Sequence, residues 1–228
     1  MVLPLLLVLA AAPSTQTWNF NTDGTPEVHI ANVDGVVRVD AVDGNGVVFE
    51  VVREGGKNSR NEVEVEVVQE GDVIRARVCC GPCEEDVQVC RRSPGAVRFS
   101  VKVPRGARLE VATVGGPVTV TGVAGAQTLA TVSGRVEVSG SEERLDVSTV
   151  NGAVALAPRK VVTTSVSTVN GDVRLKLPAR ADVRLEFNTV GGRFNDSPAR
   201  LGGREQTYGA GTHAVEVSTV GGSLSVQP

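Results

Sequence analysis

Four cysteines lie within twelve residues of one another, and their thiols are the most reactive side chains in the chain. They are Cys79, Cys80, Cys83 and Cys90. In an oxidising compartment, closely spaced cysteines of this number form two disulfides. Adjacent residues of a strand point to opposite faces, so Cys79 and Cys80 bond different partners. We expect Cys80 to close a turn with Cys83 and Cys79 to bridge two strands with Cys90.

Two other uses of these thiols fit the sequence less well. The tetrapeptide 80–83 (CGPC) matches the thioredoxin active site, but that chemistry needs a cysteine at a helix N-terminus within a βαβ unit. Here the following residues, 84–90 (EEDVQVC), alternate as a strand does. Four closely spaced cysteines can also supply four thiolates to zinc, but this spacing is not a familiar zinc pattern and export disfavours free thiolates. We therefore expect no cofactor and no metal.

The remaining candidates for catalysis are few. The two histidines, His29 and His213, lie outside any nucleophile or ligand motif. An acidic patch at Glu142, Glu143 and Asp146 suits a solvated turn better than an acid/base pair. We predict that the protein is not an enzyme and has no catalytic residues.

Charge and composition exclude several partner classes. The 228 residues carry a net charge of −3, with 21% charged and only 3% aromatic residues. Neither half is basic enough to bind nucleic acid or an anionic membrane. Valine, threonine and glycine dominate, which favours strands and turns.

The N-terminus is typical of an exported protein. Residues 2–12 (VLPLLLVLAAA) are continuously apolar but shorter than the roughly 20 residues that span a bilayer. With small residues at 10–12, they indicate a signal peptide at 1–16. We expect export to the periplasm or the cell surface, and no transmembrane segment in the mature chain.

A ten-residue phrase, apolar-x-Thr-Val-(Gly/Asn/Ser)-Gly-x-apolar-x-apolar, recurs down the chain. A period near 20 residues indicates stacked units that each bury an apolar face against their neighbours. The copies are 111–120, 129–138, 147–156, 166–175, 187–196 and 217–226, with a degenerate copy at 30–39.

Alternation along each copy gives the facing of its side chains. In the third copy, Leu145, Val147 and Thr149 share one face, and Ser148 and Val150 share the other. We predict that the apolar set and the threonine point inward, where the hydroxyl bonds backbone groups at the corner. Ice binding needs outward threonines, so this facing argues against it.

Two architectures explain such a repeat. In a β-solenoid each copy is one coil, and equivalent residues stack in ladders. In an antiparallel meander of hairpins, pairs such as Asn151-Gly152 are two-residue turns. The threonine recurring at one inward position favours the solenoid. We predict an all-β fold, a right-handed, single-stranded parallel β-helix with coils of about 18–21 residues.

The chain divides into a signal segment and one domain at 17–228. Residues 104–228 hold the regular repeats, while 45–103 alternate without the phrase and contain the cysteines. We interpret 45–103 as irregular coils or a hairpin that caps the solenoid, because an open end exposes unpaired edges. An insertion at 201–212, which contains Tyr208, is predicted to be a surface loop suited to contacts.

The segment 101–120 (VKVPRGARLEVATVGGPVTV) resembles a bacterial family of unknown function whose members are often labelled "putative adhesins". The resemblance rests on the entry Val103, Pro104 and Gly106, followed by one repeat. The residues of that repeat are Leu109, Val111, Thr113, Gly116, Val118 and Val120. It implies a parallel β-helix outside the cytoplasm and brings no catalytic residues. The cysteine cluster departs from the family pattern.

These observations favour an exported, non-enzymatic scaffold with adhesin-like binding to an envelope protein or glycan. One alternative is a periplasmic accessory or sensor protein of envelope stress. Another is an enzyme acting on envelope glycans, which would need clustered carboxylates on one face. The column that follows the turns outward is mixed and holds no acidic pair: Thr119, Glu137, Ala155, Arg174 and Ser225.

Overall fold

The computed structural model describes residues 14–54, 63–83, 95–199 and 203–227. Within these ranges the chain forms strands and turns and no helix, so the predicted all-β class is confirmed. The strands are β1 Ser14–Asn21, β2 Glu27–Asp34, β3 Val37–Val42, β4 Gly46–Arg53, β5 Glu64–Glu70, β6 Val73–Cys79, β7 Val97–Pro104, β8 Arg108–Gly115, β9 Val118–Thr121, β10 Gln127–Ser133, β11 Val136–Ser139, β12 Leu145–Asn151, β13 Val154–Ala157, β14 Thr163–Thr168, β15 Val173–Lys176, β16 Val183–Thr189, β17 Arg193–Phe194, β18 Ser197–Pro198, β19 Arg204–Tyr208, β20 His213–Thr219 and β21 Leu224–Gln227.

The strands form two sheets. Sheet A has the order β1-β4-β7-β3-β9-β11-β13-β15-β21-β17-β18, and sheet B has the order β19-β16-β20-β14-β12-β10-β8-β2-β6-β5. Each repeat contributes one strand to sheet B and, after the glycine turn, the next strand to sheet A. The apolar side chains of both sheets face a shared core.

Equivalent repeat strands pair in parallel and in register. Thr131 lies between Thr113 and Thr149, and Val138 lies between Val120 and Leu156. The structure therefore has the ladders of a β-solenoid, and the alternative of an antiparallel meander is wrong for the repeats. Antiparallel pairs occur as well, but at the ends of the sheets.

The predicted facing of the repeats is confirmed. The apolar positions of the copies are buried except the last position of the fifth copy, which is the exposed Asp196, and the six repeat threonines are only 5–6% exposed. In the degenerate first copy, Asn32 takes the position of the threonine and pairs with Thr113. Its amide donates to the carbonyl oxygens of Gly35 and Val97, at 3.3 and 3.1 Å. Valine and leucine ladders thus form the core, with a polar column along one corner.

The corners need glycine because successive coils approach closely. A Cβ atom on Gly152 would lie 1.9 Å from the carbonyl oxygen of Gly134, and one on Gly134 would lie 2.0 Å from that of Gly116. Non-bonded atoms do not approach this closely. The stacking distance between coils therefore requires glycine at the second position of the turn in each repeat.

The order of coils in space differs from their order in the chain at both ends. The first coil, β2–β3, lies between β6–β7 and β8–β9. The last coil, β20–β21, lies between β14–β15 and β16–β17. The fifth repeat, β16–β17, therefore ends the stack, although it precedes the last repeat in the sequence.

Antiparallel strands cover the ends of the stack. At one end β4 and then β1 extend sheet A, and β5 extends sheet B. At the other end β18 and β19 pair with β17 and β16. The interpretation of 201–212 as a surface loop is wrong for 204–208, which form β19. The physical reason is that β16 would otherwise present an unpaired edge. Residues 200–202 lie outside the described residues.

The cysteine pairing differs from the expected one. Cys79, the last residue of β6, is bonded to Cys83, with a Cα–Cα distance of 5.3 Å. Both are buried, whereas Cys80 is half-buried, so Cys79 and Cys83 reach each other on the core side of the turn. The expected Cys80–Cys83 and Cys79–Cys90 bridges are therefore wrong. Cys80 is disulfide-bonded as well. Cys90 lies outside the described residues.

Most of the predicted signal peptide, residues 1–13, also lies outside the described residues. Its last three positions, 14–16, belong to β1 and pair with residues 51–53 of β4. Removal of all of 1–16 would therefore shorten a paired edge strand.

Candidate binding surface

The histidines and the acidic patch hold ordinary surface contacts. The Nε2 and Nδ1 atoms of His29 lie 2.7 and 2.9 Å from carboxylate oxygens of Glu27 and Glu110. His213 begins β20, opposite Val183 of β16. Among the residues that the structure describes, no group of three or more histidine, cysteine, aspartate or glutamate side chains has the geometry of a metal site.

Two members of the acidic patch, Glu142 and Asp146, are paired with arginines. Glu142 lies between Arg159 and Arg105, at 3.1 and 3.6 Å. Asp146 accepts hydrogen bonds of 2.6 and 3.4 Å from Arg144, which immediately precedes β12. The Asp146 hydrogen bond and charge raise the pKa of Arg144. Carboxylates held in this way are placed as partners of arginine, not as an acid/base pair across a cleft.

The inward threonines make corner hydrogen bonds in part of the stack. Thr189 and Thr219 each accept a 2.9 Å bond from the amide three residues later. Thr113 donates to the carbonyl oxygen two residues later, at 3.1 Å. The predicted role of the hydroxyl is thus confirmed at these positions. Three others have no hydrogen-bond partner among the described residues: Thr131, Thr149 and Thr168.

A column of exposed valines runs along the outside of the same corner. Each valine follows a buried threonine, and each is 38–64% exposed. Single apolar side chains are common on protein surfaces. A contiguous row of exposed valines, one from each repeated coil, is unusual and is typical of an interaction site. We call this column the valine strip. In spatial order it consists of Val114, Val132, Val150, Val169, Val220 and Val190.

The two columns that flank the valine strip are uncharged. On one side they are small or polar: Ala112, Ala130, Ser148, Ser167, Ser218 and Asn188. On the other side are turn residues: Gly115, Ser133, Asn151, Asn170, Gly221 and Gly191. The strip and its small flank line a shallow groove of about 410 Å³ that crosses β2, β8, β10, β12 and β14. An uncharged, largely apolar band therefore runs along the solenoid.

Beyond the small column, the outer face of sheet B becomes acidic. Glu110, Asp146, Glu216 and Glu186 occupy four of the seven register positions of the next column, and His29 occupies another. None of the seven is lysine or arginine, although arginines follow one column further out. We call this column the acidic rim. The apolar band thus has one border that contains carboxylates and no lysine or arginine, although Asp146 is paired with Arg144 and Glu110 with His29.

The outer face of sheet A lacks such a band. The column predicted from the sequence does align: Thr119, Glu137, Ala155, Arg174 and Ser225 are register neighbours. Its side chains alternate between small, acidic and basic. All of them except Ser225 line a groove of about 350 Å³ together with Lys176 and Gln227. Because the charges are mixed, this face presents no uniform chemistry to a partner.

The Thr-Val pair of the repeat predicts the valine strip as well as the core. From the sequence we assigned a role to the inward threonine and none to the outward valine. The repeat reads Thr-Val in all six copies. Since the threonine faces inward, the valine after it must face outward. A valine that recurs outside the core in every copy marks a surface, and that inference was available from parity alone.

Comparison with known proteins agrees with the fold. Residues 61–227 match the family model described as Toastrack DUF4097. The chain belongs to the Toastrack DUF4097 family. The predicted resemblance to a bacterial family of unknown function is thereby confirmed, and a solved structure with the same fold is described as a "putative cell adhesion protein".

One solved structure shares the fold over nearly the whole chain. It is described as a "putative cell adhesion protein" from Clostridium sporogenes, is 11% identical, and aligns over 95% of this chain and 99% of its own with a TM-score of 0.53. A "putative adhesin" from Bacteroides fragilis is 8% identical over 93% and 97% of the two chains, with a TM-score of 0.36. A "putative lipid binding protein" from Parabacteroides distasonis is 9% identical over 94% and 97%, with a TM-score of 0.31.

A search of curated proteins found no match. Within the described residues there is no helix with the length and apolar character needed to cross a membrane.

Proposed function

We propose that this protein is a non-enzymatic, exported, adhesin-like binding protein and that the valine strip is its contact surface. The observation that carries the proposal is the row of six exposed valines on a scaffold whose other outer face carries mixed charge. Burying such a row against a partner removes apolar area from water, and that is the main driving force of protein association.

The chemistry of the strip favours a protein partner. Sugar-binding surfaces use aromatic rings, and the strip and its flanking columns have none. Anionic lipid and nucleic acid need basic side chains, whereas the border of the strip is the acidic rim. The complementary surface is an apolar ridge of a protein with lysine or arginine along one side. A glycan or a lipid partner would contradict this choice.

The size of the strip sets the expected strength of one contact. Six coils at about 4.8 Å spacing extend over roughly 24 Å. A band about 10 Å wide then buries on the order of 240 Å² per partner, well below the roughly 800 Å² per partner of a standard stable interface. A single contact is therefore weak, and many copies on one surface would gain strength through multivalency. Adhesion between surfaces suits such a contact.

The proposal includes the export and organisation expected from the sequence. We propose a signal peptide within 1–16, a single domain after it, and right-handed winding of the coils. The last of these is supported by the strong right-handed preference of connections between parallel strands of one sheet. A crystal structure of the mature protein with left-handed coils would contradict it.

Location can be tested in the native host. An epitope-tagged copy is expected to be digested when intact cells are treated with protease, with a cytosolic protein of the same cells as the protected control. Protection in intact cells and digestion only after the outer barrier is opened would contradict surface adhesion and favour the periplasmic accessory role. Recovery in the cytosol alone would contradict export.

A further inference from the structure

The C-terminal coil fills a gap between two coils that precede it in the chain. β20 pairs in parallel with β14 on one side and β16 on the other, and β21 pairs likewise with β15 and β17. Until residues 213–227 arrive, β14 and β16 therefore face each other across an empty strand position. Unpaired edges of this kind bind any chain that offers the right strand.

Recognition in the gap comes from the repeat itself. The buried side chains of the last coil are those of a standard copy of the phrase, Val215, Val217, Thr219, Leu224 and Val226. Thr219 takes its place in the threonine ladder between Thr168 and Thr189. The coil thus makes the same contacts whether it comes from its own chain or from a second copy.

A short link, residues 209–212, joins β19 to the C-terminal coil. Tyr208 of β19 and His213 of β20 both pair with Val183, from opposite sides of β16. The four residues 209–212 must therefore cross a whole strand, a distance of about 9.6 Å at the usual spacing. Gly209 adopts a φ of +65°, and a Cβ atom there would lie 2.8 Å from the carbonyl oxygen of Ala181. The crossing is tight.

The crossing is held at the surface by one side chain. The Asp182 carboxylate accepts a 2.7 Å hydrogen bond from the Thr212 hydroxyl and a 3.1 Å bond from its amide. The His213 amide donates to the Asp182 carbonyl oxygen at 3.1 Å. These bonds are exposed, so water replaces them at little cost when the link opens.

We propose that the C-terminal coil is exchanged between two copies of this chain, each copy filling the gap of the other. Short hinge segments favour exchange, because opening the hinge relieves the tight crossing while the exchanged element keeps its contacts. The exchanged dimer carries two valine strips, although the proposal does not depend on their function.

Paired cysteines test the exchange directly. Ser167, which is exposed, and Ser218, which is half-buried, are register partners across the gap, and neighbouring strands lie at a spacing that a disulfide spans. One tagged copy carries Ser167→Cys, a differently tagged copy carries Ser218→Cys, and the two are co-expressed and exported together. We expect a covalent dimer in which position 167 of one chain is joined to position 218 of the other.

The matched control uses two internal coils of the same outer column. Ala130 and Ser148 are register partners in β10 and β12, and neither strand is free to leave the stack. Copies with Ala130→Cys and Ser148→Cys are expected to form no mixed covalent dimer. Equal crosslinking in both pairs would indicate association through the outer face and would overturn the proposal. Absence of crosslinking in both pairs would overturn it too.

Hinge length gives a second measurement without new cysteines. Deleting Gly209, Ala210 and Gly211 leaves one residue to cross β16, and two extended steps of about 3.6 Å each cannot span about 9.6 Å, so closure on the same chain is prevented. We expect this variant to have the mass of two chains by light scattering. Inserting four glycine or serine residues between Ala210 and Gly211 relaxes the crossing, and we expect the mass of one chain. A shortened variant that stays folded with the mass of one chain would contradict the proposal.

Discussion

The threonine and the valine that follow each other in every repeat lie on opposite sides of the same sheet corner. The polar residue is buried and the apolar residue is exposed, which is the reverse of the usual preference. The inner column is explained by the fold at three coils, where its hydroxyls form hydrogen bonds with corner backbone groups. The outer column contacts no core. The difference indicates that packing accounts for the threonine and that binding is the better account of the valine.

The largest difference in stability between inner and outer positions is expected when a charged side chain is introduced. Val166 is buried and Ser167, its neighbour on β14, is exposed. Val166→Asp places an unpaired charge in the core, and we expect a loss of stability on the order of 4 kcal/mol. Ser167→Asp is the matched control and should change stability by about 0.5 kcal/mol or less. Urea unfolding measures both, and similar midpoints would contradict the assigned facing.

The corner glycines allow a second comparison of close and open sites. A Cβ atom on Gly152 would collide with the next coil, whereas one on Gly191 meets nothing within 4 Å. Gly152→Ala is expected to lower stability by about 2–3 kcal/mol because coils must separate. Gly191→Ala should be nearly neutral. Thermal unfolding measures the stability of both variants. Equal losses of stability would show that the stacking distance at the corner does not require glycine.

Within the inner column, threonines with and without partners can be separated. Thr219 accepts a hydrogen bond from a corner amide, whereas Thr149 has no partner among the described residues. Thr219→Val leaves that amide unpaired and should cost about 1–3 kcal/mol. Thr149→Val removes a buried hydroxyl that has no hydrogen-bond partner among the described residues, and we expect it to leave the free energy of unfolding unchanged or to raise it. The reverse order of unfolding midpoints would refute the assigned role of the hydroxyl.

On the outside, the valines should matter little for stability. Thr is β-branched and close to valine in shape, so Val132→Thr with Val150→Thr keeps strand propensity and changes only polarity. We expect the free energy of unfolding to change by no more than about 0.5 kcal/mol per site. A larger loss would mean that the strip serves the fold, and the functional interpretation would lose its main support.

The smallest effect on stability is expected at the exposed link of residues 209–212, which is held by Asp182. Hydrogen bonds from the Thr212 hydroxyl and amide hold the pKa of Asp182 below its ordinary value of 3.8. A carboxyl group with a lowered pKa adds stability that is present above its unfolded pKa and is lost as pH falls through its folded pKa. Asp182→Asn should therefore destabilise slightly at neutral pH and not at strongly acidic pH. A pH-independent difference in unfolding would contradict this.

Local rules in the sequence predicted the repeated part of the fold well. Parity placed Leu145, Val147 and Thr149 inside, and the recurring threonine favoured parallel ladders, as observed. The order of coils was beyond such rules. Copies of one phrase stack equally well in several orders, so the position of β20 between β14 and β16 depends on the lengths of the connections and on the edge strands.

The disulfide pairing and the binding surface were also difficult to predict, because both depend on how separate parts of the chain come together. Alternation separates Cys79 from Cys80 but does not say how the turn after β6 folds back, and that turn brings Cys83 to the core side. For the surface, the outward valines were visible from parity. Their joining into one continuous band required the register of six coils, which only the structure provides.

The most direct measurement compares binding by the two outer faces. The wild type, the strip variant Val132→Thr with Val150→Thr, and a sheet A control with Thr119→Ser and Ala155→Ser are assayed on immobilised extracellular matrix proteins, polysaccharides and lipid vesicles. We predict saturable binding to a protein surface that the strip variant loses by about tenfold or more, because two hydroxyls must be desolvated without partners, and that the control retains. Equal binding by all three, or binding lost only in the control, would contradict the assignment of function to the valine strip.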